Sequence, residues 1–385
     1  MAYDPNKIMQ SAPGTYTTIG GRKYLYFMGT GYLGLHGHPE ILRATCRAIK
    51  KYGMGSATSR RAFGNSPPII DVENRAARFF GMQDAFYFMT GYLSNSVIVQ
   101  AILGTFDVVF IDESSHYSVR DAARLSEKPV YTFANRNPED LRKVMEERCS
   151  GGLRPLVITD GLFPVRGVLA PLREYYEILR VFPASALLVD DAHALGAVGP
   201  TGRGSIEQTG LPWETVNTNV QPENAPRLFV TGTLSKAFGG FGGIVPGSAA
   251  FIEHIHENSP YFRAANPVPA GIAAGSAKAL ELVMDNPGMI SQLHRNVKIV
   301  RDGLRSMGID VEDTAIPIIC VVLDTAEQMK QVQSWLMEQG ILIAYNPKYS
   351  DLGPKGGIRI AVFATHTEKM IEKMLQGFKT VLKKL

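Results

Sequence analysis

From residue 85 onward, short continuous apolar runs alternate with longer amphipathic stretches. Short runs bounded by turn residues predict buried strands, and the stretches between them predict helices. The strands are predicted at 85–89, 107–111, 130–133, 156–159, 186–190 and 228–231. The helices between them include 91–103, 138–148 and 172–181. Because several of these strands are apolar throughout, they favour a mostly parallel sheet covered by helices on both faces, an α/β fold.

The two ends of the chain follow other patterns. Strands and turns are predicted over 15–35, and a helix that starts after Pro39 and runs to about Tyr52 follows. A loop at 53–65, rich in Gly, Ser, Arg and Asn, leads to a helix predicted at 67–80. The polar stretch 208–226 is predicted to be a surface loop. After about Pro269, two long helices precede a mixture of strands and helices, which predicts a smaller α+β domain. We therefore expect an N-terminal segment (1–52) packed on the small domain, a large domain (53–268) and a small C-terminal domain (269–385).

Composition narrows the class of protein. The chain has 385 residues, 45% of them hydrophobic, and a net charge of +4. That charge is too small to indicate a nucleic-acid partner. The first residues form no apolar signal core, and no apolar stretch is long enough to span a membrane. Three widely spaced cysteines give no metal or disulfide framework and suit the cytoplasm.

The stretch 230–243 combines a strand end, hydroxyl residues, a lysine and four glycines. Lys236, flanked by Thr233 and Ser235, is placed to form a Schiff base with an aldehyde cofactor, because a desolvated amine becomes nucleophilic. The two hydroxyls are candidates for binding a phosphate. The alternative is a surface lysine before a flexible loop.

Asp190 ends a buried strand, and His193 follows three residues later. Ligands of open parallel sheets bind at the carboxyl ends of the strands. A carboxylate there would keep a cofactor pyridine nitrogen protonated, so that the ring accepts electrons. The alternatives are a helix cap or a metal site, for which no convincing third ligand is nearby.

Three further positions are candidates for ligand binding. His116 follows a strand and offers a flat ring for stacking on a cofactor. Gly91 and Tyr92 open a helix, where free N–H groups bind phosphate. Arg359 has a planar guanidinium that can bind a substrate carboxylate through two parallel hydrogen bonds. A loop histidine and a surface salt bridge are the plainer alternatives for His116 and Arg359.

A glycine motif at Gly29, Gly31 and Gly34 suggests a nicotinamide-dinucleotide site instead. Pro39 opposes the helix that such a site requires directly after the glycines. We therefore favour this oxidoreductase hypothesis least.

Several motifs occur in a fixed order and spacing from about residue 22 to the C-terminus. They are Gly31 to Leu35 with His38 and Pro39, Gly91 to Asn95, Ser115 and His116, Val189 to His193, Gly202 to Gly204, Thr233 to Lys236, and Arg359 with Ala364 to His366. As a set they resemble the α-oxoamine synthases, pyridoxal-phosphate enzymes of the aspartate-aminotransferase fold (type I). That family includes 8-amino-7-oxononanoate synthase, glycine C-acetyltransferase, 5-aminolevulinate synthase and serine palmitoyltransferase.

The resemblance implies a cofactor, a reaction and a set of roles. The cofactor would be pyridoxal 5′-phosphate. The reaction would condense an amino acid with an acyl thioester, carried by coenzyme A or a carrier protein, usually with release of carbon dioxide. The enzyme would be a cytoplasmic homodimer with sites at the subunit interface. The resemblance implies that Lys236 forms the Schiff base and moves the α-proton, and that Asp190 pairs with the pyridine nitrogen. His193 would contact the ring hydroxyl and the acyl-transfer carbonyl, and His116 would stack on the ring. Arg359 would bind the substrate carboxylate, and the phosphate would be held by Gly91, Tyr92 and Thr233.

The chain also departs from the family pattern. Pro164 and Arg166 stand where the family has a serine and an acidic residue, and Thr30 or Gly31 replaces an asparagine. Ala264 and Ala265 replace the hydroxyl pair that one subunit lends to its neighbour's phosphate. We expect Thr30 and Arg166 to contact substrate, and an altered substrate preference to follow.

Two alternatives to acyl transfer stay open. One is another pyridoxal-phosphate reaction on the same fold, such as transamination, decarboxylation or elimination, because fold alone does not determine reaction. The other is a non-catalytic interaction protein. The presence of Lys236, Asp190, His193 and Arg359 together argues against the second.

Overall fold

The computed structural model describes residues 8–347 and 352–385, and its first part is a β-hairpin followed by two helices. The elements are β1 (Tyr16–Ile19), β2 (Arg22–Tyr26), α1 (Pro39–Tyr52) and α2 (Pro67–Phe80). Each helix begins with a proline, whose missing N–H would have no partner there. Because α1 begins only at Pro39, the glycines at 29–34 do not open a helix, and the dinucleotide hypothesis loses its structural support.

The middle of the chain alternates strands and helices. The elements are β3 (Asp84–Phe88), α3 (Ser94–Ala101), β4 (Val108–Asp112), α4 (Tyr117–Leu125), β5 (Val130–Phe133), α5 (Pro138–Arg148), β6 (Pro155–Asp160), β7 (Leu162–Phe163), β8 (Val168–Leu169), α6 (Leu172–Leu179), β9 (Ala186–Asp190), α7 (Ser205–Thr209), β10 (Arg227–Thr233), β11 (Gly243–Gly247), α8 (Ala249–Asn258) and α9 (Pro260–Arg263). The six strands predicted in this region are all present: β5 and β9 have the predicted ends, and the ends of the other four are shifted by one or two residues.

These strands form a seven-stranded sheet in the order β3, β11, β10, β9, β6, β4, β5. The five strands from β10 to β5 run parallel, and β11 is antiparallel to both of its neighbours. Alternate side chains enter two different buried clusters: Leu156 and Ile158 pack on one face, and Val157 packs on the other. The predicted parallel sheet with helices on both faces is therefore confirmed.

Three predictions for this region need correction. The predicted helix 91–103 is a 3-10 turn (Gly91–Leu93) followed by α3. The glycine-rich end of the 230–243 stretch leads directly into β11, a strand that the sequence did not predict. The predicted surface loop at 208–226 is wrong at Asn217, which is fully buried and donates to the carbonyls of Val230 and Pro246. These two bonds join β10 to β11.

The last part of the chain carries a smaller antiparallel sheet. The elements are α10 (Ala270–Asp285), α11 (Gly288–Arg305), β12 (Ile318–Val321), α12 (Ala326–Glu338), β13 (Ile341–Leu342), β14 (Ala344–Asn346), β15 (Gly357–Ala361) and α13 (Glu368–Leu382). The sheet order is β12, β15, β14, while β13 pairs in parallel with β2 from the N-terminal hairpin. The exact domain boundaries at 53 and 269 stay a prediction. No helix in the described residues is long and apolar enough to cross a membrane.

Candidate active site

The carboxyl ends of three neighbouring parallel strands place three charged side chains together. Asp160 on β6 lies in register with Asp190 on β9, and Asp190 lies in register with Thr231 on β10. Lys236 follows β10 by three residues. Since the strands are parallel and adjacent, all three groups come to the same edge of the sheet, where ligands of such sheets bind.

Asp190 is buried and held by three donors. Its Oδ2 accepts from Asn95 Nδ2 at 2.6 Å and from Ser118 Oγ at 3.3 Å, and its Oδ1 accepts from the N–H of Ala192 at 3.1 Å. The carboxylate is therefore fixed in orientation before any ligand arrives. Sequence reasoning gave no individual role to Asn95 or Ser118. The sequence feature that could have identified Asn95 is its polar amide, which stands beside the apolar run Val97–Val99 in a helix that packs on the sheet.

Asp160 was missed by the sequence analysis. It ends an apolar strand as Asp190 does, so the same pattern would have identified it. Its Oδ2 accepts from the backbone N–H of His116 at 3.0 Å. Burial, and next the negative charge of Asp190, raise the pKa of Asp160 well above its ordinary value. Asp160 therefore anchors the turn that carries His116.

Lys236 has the property that a Schiff-base lysine requires. Its side chain is half-buried, and burial lowers the pKa of its amine to about 8. The negative charges of Asp190 and Asp160 oppose that shift, while the positive charge of Arg359 adds to it. About a tenth of the amine is therefore neutral and nucleophilic at pH 7, far more than in an exposed lysine with a pKa of about 10.4.

His116 caps the first turn of α4 with its ring. Nδ1 accepts from the backbone N–H of Ser118 at 3.2 Å and lies 2.8 Å from Ser118 Oγ. Burial lowers the pKa of His116, which favours the neutral ring. The ring of Tyr92 meets that of His116 edge to face, with centroids 5.9 Å apart.

The groups proposed for phosphate lie close together. A Cβ on Gly91 would come within 2.6 Å of Thr233 Cβ, so only glycine lets the 3-10 turn approach β10 this closely. The hydroxyl of Thr233 donates to the carbonyl of Gly242 at 2.7 Å and lies 2.9 Å from Ser235 Oγ. The N–H of Gly242 donates to Ser235 Oγ. The two hydroxyls thus hold the glycine-rich turn, and their phosphate contact stays a prediction.

Arg359, on β15, is buried and oriented by backbone carbonyls. Nε donates to the carbonyl of Pro164 at 2.7 Å, and Nη1 donates to the carbonyl of Gly29 at 2.9 Å. Nη2 lies 3.4 Å from the hydroxyl of Tyr32. Thr30 is half-buried and directly follows Gly29, so the backbone brings it beside Arg359.

His193 joins this group through Tyr32. Its Nδ1 lies 3.0 Å from the Tyr32 hydroxyl. The pKa of His193 is well below its ordinary value because the ring is desolvated, and because Lys236, Arg359 and His116 add positive charge around it. We name Lys236, Asp190, Asp160, His116, His193, Arg359 and Tyr32 the active-site cluster.

Arg166 does not lie within this cluster. It is exposed in the turn between β7 and β8 and lines a separate cavity of about 250 Å³. Arg301, Glu312 and Cys320 line the same cavity. A contact between Arg166 and substrate stays a prediction.

A larger groove of about 1060 Å³ opens next to His116. We name it the access groove. Tyr117, Arg120 and Arg124 of α4 form one side, and Leu352 to Pro354 form the other.

Comparison with known proteins decides the family of this site. The family described as aminotransferase class I and II matches residues 29–378. The chain belongs to that family. The mostly parallel seven-stranded sheet flanked by helices is the expected type I fold.

Two curated relatives and one solved structure narrow the group within the aminotransferase class I and II family. The 8-amino-7-oxononanoate synthase of Geobacter metallireducens is 33% identical over 92% of this chain and 88% of its own. The serine palmitoyltransferase of Sphingobacterium spiritivorum is 31% identical over 96% of this chain and 90% of its own. The solved serine palmitoyltransferase of Sphingomonas wittichii superposes with a TM-score of 0.87 at 26% identity, covering 99% of this chain and 93% of that chain. The chain is thus a pyridoxal-phosphate-dependent transferase of the α-oxoamine synthase group.

The residues present fit the cofactor. A half-buried amine with a pKa of about 8 can form a Schiff base with its aldehyde. A buried carboxylate, held by Asn95 and Ser118, is available for its pyridine nitrogen. The close approach of Gly91 to Thr233 brings the first turn of a helical segment to the same edge of the sheet, where the hydroxyl of Thr90 accepts from the N–H of Tyr92 at 3.3 Å.

Proposed function

We propose that this enzyme condenses an amino acid with an acyl thioester, with loss of carbon dioxide, to give an α-amino ketone. The observation that carries the proposal is the placement of Lys236, Asp190, His193 and Arg359 in one electrostatically coupled cluster. The names of the two curated relatives, an 8-amino-7-oxononanoate synthase and a serine palmitoyltransferase, support it.

Bound pyridoxal phosphate would supply an electron-withdrawing ring that stabilises negative charge on the amino-acid carbon. Lys236 would carry it and move the proton at that carbon. Asp190 would face the ring nitrogen, and His116 would stack on the ring. The amides of Gly91 and Tyr92, with the hydroxyls of Thr233 and Ser235, would bind the phosphate.

Arg359 is suited to bind the amino-acid carboxylate. A guanidinium has five N–H groups. Three are engaged by the described residues, one on each nitrogen. One hydrogen therefore remains on each terminal nitrogen, which is the number that a bidentate carboxylate accepts. Thr30 would lie beside this carboxylate, and its hydroxyl would replace the family asparagine as a donor.

The acyl donor would reach the cluster through the access groove. The groove is large enough for a thioester arm, and His116 is one of its lining residues. Arg120 and Arg124 on its wall outnumber Asp121, which pairs with Arg124, so the wall would attract the phosphates of coenzyme A or the acidic surface of a carrier protein.

The enzyme would work as a homodimer. Met54 and Phe63, in the loop between α1 and α2, expose 78% and 94% of their surface, and Phe241 exposes 48%. Exposed apolar side chains of this size mark interaction surfaces when they cluster. Sedimentation of the purified protein would measure the oligomeric state.

Another reaction of the same cofactor is the second candidate. The observation that favours it is Pro164, which has no hydroxyl to offer at a position where the family has one, and whose carbonyl is occupied by Arg359. Transamination or simple decarboxylation needs only the amino-acid half of the site.

One experiment separates these candidates. The purified enzyme is incubated with a panel of amino acids, each with acyl-coenzyme A or acyl-carrier protein, while free thiol and carbon dioxide are measured. We expect thiol release that depends on one amino acid and is accompanied by carbon dioxide. Conversion of an amino acid to a keto acid or an amine without any thiol release would contradict acyl transfer and support the second candidate.

A further inference from the structure

Tyr32 connects Arg359, which is proposed to bind the amino-acid carboxylate, with His193, which the family resemblance places at the cofactor's ring hydroxyl. The side chain is fully buried, and its hydroxyl lies 3.4 Å from Arg359 Nη2 and 3.0 Å from His193 Nδ1. Its backbone carbonyl accepts from the N–H of Ala364 at 2.7 Å, so the residue is fixed at both ends. No role for Tyr32 follows from its sequence motif.

The positions of the protons follow from what each group can donate. A guanidinium only donates, so the Tyr32 hydroxyl accepts from Arg359. The hydroxyl has one hydrogen of its own, and His193 Nδ1 is the acceptor within reach among the described residues. Nδ1 is then unprotonated, and the hydrogen of a neutral ring lies on Nε2.

Two further observations agree with this chain of bonds. Burial raises the pKa of Tyr32 to about 12, so the hydroxyl keeps its hydrogen at neutral pH. Within residues 8–347 and 352–385, Nε2 of His193 has no hydrogen-bond partner, and the half-buried ring leaves that nitrogen accessible to a ligand.

We propose that Tyr32 is a positioning residue that fixes His193 in the Nε2–H tautomer and connects it to Arg359. His193 therefore presents a hydrogen-bond donor, and not an acceptor, to the bound ligand. The ligand oxygen that it meets must be an acceptor, such as a phenolate, a carboxylate or a carbonyl. The inference deepens the proposed function of this cluster, although the tautomer itself does not depend on which reaction is catalysed.

The test is a measurement of the tautomer by nitrogen NMR. The enzyme loaded with pyridoxal phosphate is prepared with ¹⁵N-histidine, and the two ring nitrogens of His193 are assigned by their loss in His193→Gln. We expect Nε2 to carry the hydrogen and Nδ1 to carry none. A hydrogen on Nδ1 in the unmodified enzyme would overturn the proposal without any variant of Tyr32.

Tyr32→Phe removes only the hydroxyl. We expect the His193 signals to change to a mixture of tautomers and kcat to fall about tenfold, because the ring loses its orienting bond. Tyr175→Phe is the matched control, since Tyr175 is also fully buried but its hydroxyl has no hydrogen-bond partner in the described residues. Unchanged His193 signals in Tyr32→Phe would overturn the proposal. If neither enzyme catalyses acyl transfer but the signals change as expected, the proposed reaction fails and the tautomer assignment stands.

Discussion

Arg359 donates its Nε–H to the backbone carbonyl of Pro164 at 2.7 Å. Pro164 has no side-chain donor and no N–H, which at the level of sequence looked like a lost contact near the substrate. The structure shows that its carbonyl orients the arginine proposed to bind substrate. Since a carbonyl is available from any residue, the serine-to-proline departure preserves this bond and removes only a hydroxyl.

Arg359→Lys should raise KM for the amino acid about tenfold or more and change cofactor binding less. A lysine keeps the positive charge but cannot bond Pro164, Gly29 and a carboxylate together. Steady-state kinetics with the best amino acid, and absorbance titration with pyridoxal phosphate, measure the two effects. Arg166→Ala provides a comparison. A similar rise in KM in that variant would support the predicted substrate contact of Arg166, and an unchanged KM in both variants would place the carboxylate elsewhere.

The rate at which the cofactor-free enzyme recombines with pyridoxal phosphate should increase with pH through a midpoint near 8. The neutral amine of Lys236 is the reactive form, and its pKa is lowered to about 8 by burial. At a pH below 8 the protonated amine predominates and the reaction slows. Stopped-flow absorbance between pH 6 and 10 measures the profile. A midpoint near the ordinary lysine value of about 10.4 would show that the amine is not desolvated.

Asp190→Asn should lower kcat about a hundredfold or more while the variant still binds pyridoxal phosphate. The amide of the variant can accept only some of the hydrogen bonds that Asn95 and Ser118 donate to the carboxylate of Asp190. It also carries no negative charge, so it cannot keep the ring nitrogen of the cofactor protonated. Asp160→Asn is the comparison, because Asp160 contacts the backbone of His116 and ends the neighbouring strand. Near-normal turnover in Asp190→Asn would reduce Asp190 to a structural carboxylate.

The free energy of unfolding should fall between pH 6.5 and pH 4 through His366. Its Nδ1 accepts from the N–H of Phe363, its Nε2 donates to the carbonyl of Tyr26, and the ring stacks on Phe27. Burial lowers the folded-state pKa to about 4, so the unfolded chain binds the proton first as pH falls. Stability is therefore full above about pH 6.5 and decreases by about 1.4 kcal/mol per pH unit below it, or about 2 kcal/mol at pH 5.

Urea titrations of the unmodified enzyme and of His366→Gln at several pH values test this contribution. The variant should be less stable at pH 7, and its stability should change less between pH 6.5 and 5. Equal pH dependence in the two proteins would assign the acid sensitivity to other groups.

Arg60→Ala should destabilise the fold by about 3–5 kcal/mol. Arg60 is buried, makes two bonds of 2.6 Å and 2.9 Å to Glu73, and donates to the carbonyl of Tyr87. Its loss leaves the Glu73 carboxylate buried without a counter-charge. Arg61→Ala removes the exposed neighbouring arginine and should change the free energy of unfolding by less than about 0.5 kcal/mol. Equal effects of the two substitutions in chemical denaturation would contradict this assignment.

The sequence predicted the central sheet well because its strands are apolar on both faces. It missed β11 because glycines and Pro246 in that strand are typical of a turn. The strand nevertheless forms, since it pairs with β3 and its Pro246 carbonyl accepts from the side chain of Asn217. Both partners lie 29 or more positions earlier in the chain, so no local pattern contains these contacts.

The site was predictable where a residue stands at a strand end, as Asp190 and Lys236 do. Asp160 shows the same pattern and was overlooked. Tyr32 was not predictable, because the placement of its hydroxyl depends on loops and sheets that pack together across the whole molecule. The position of the Arg166 side chain was not predictable from the sequence either, because the direction of a side chain in a short turn depends on the hairpin that the turn closes.

The bonds of Arg359 to Gly29 and Tyr32 have a consequence for how the enzyme acquires activity during folding. Arg359 meets Tyr32 across a separation of 327 residues and Gly29 across 330. Contacts this distant in sequence form slowly, because the intervening chain must first become ordered. On a ribosome, Asp190 and Lys236 are synthesised before Arg359. The residues proposed to hold the cofactor are therefore in place along the chain before the residue proposed to select the substrate.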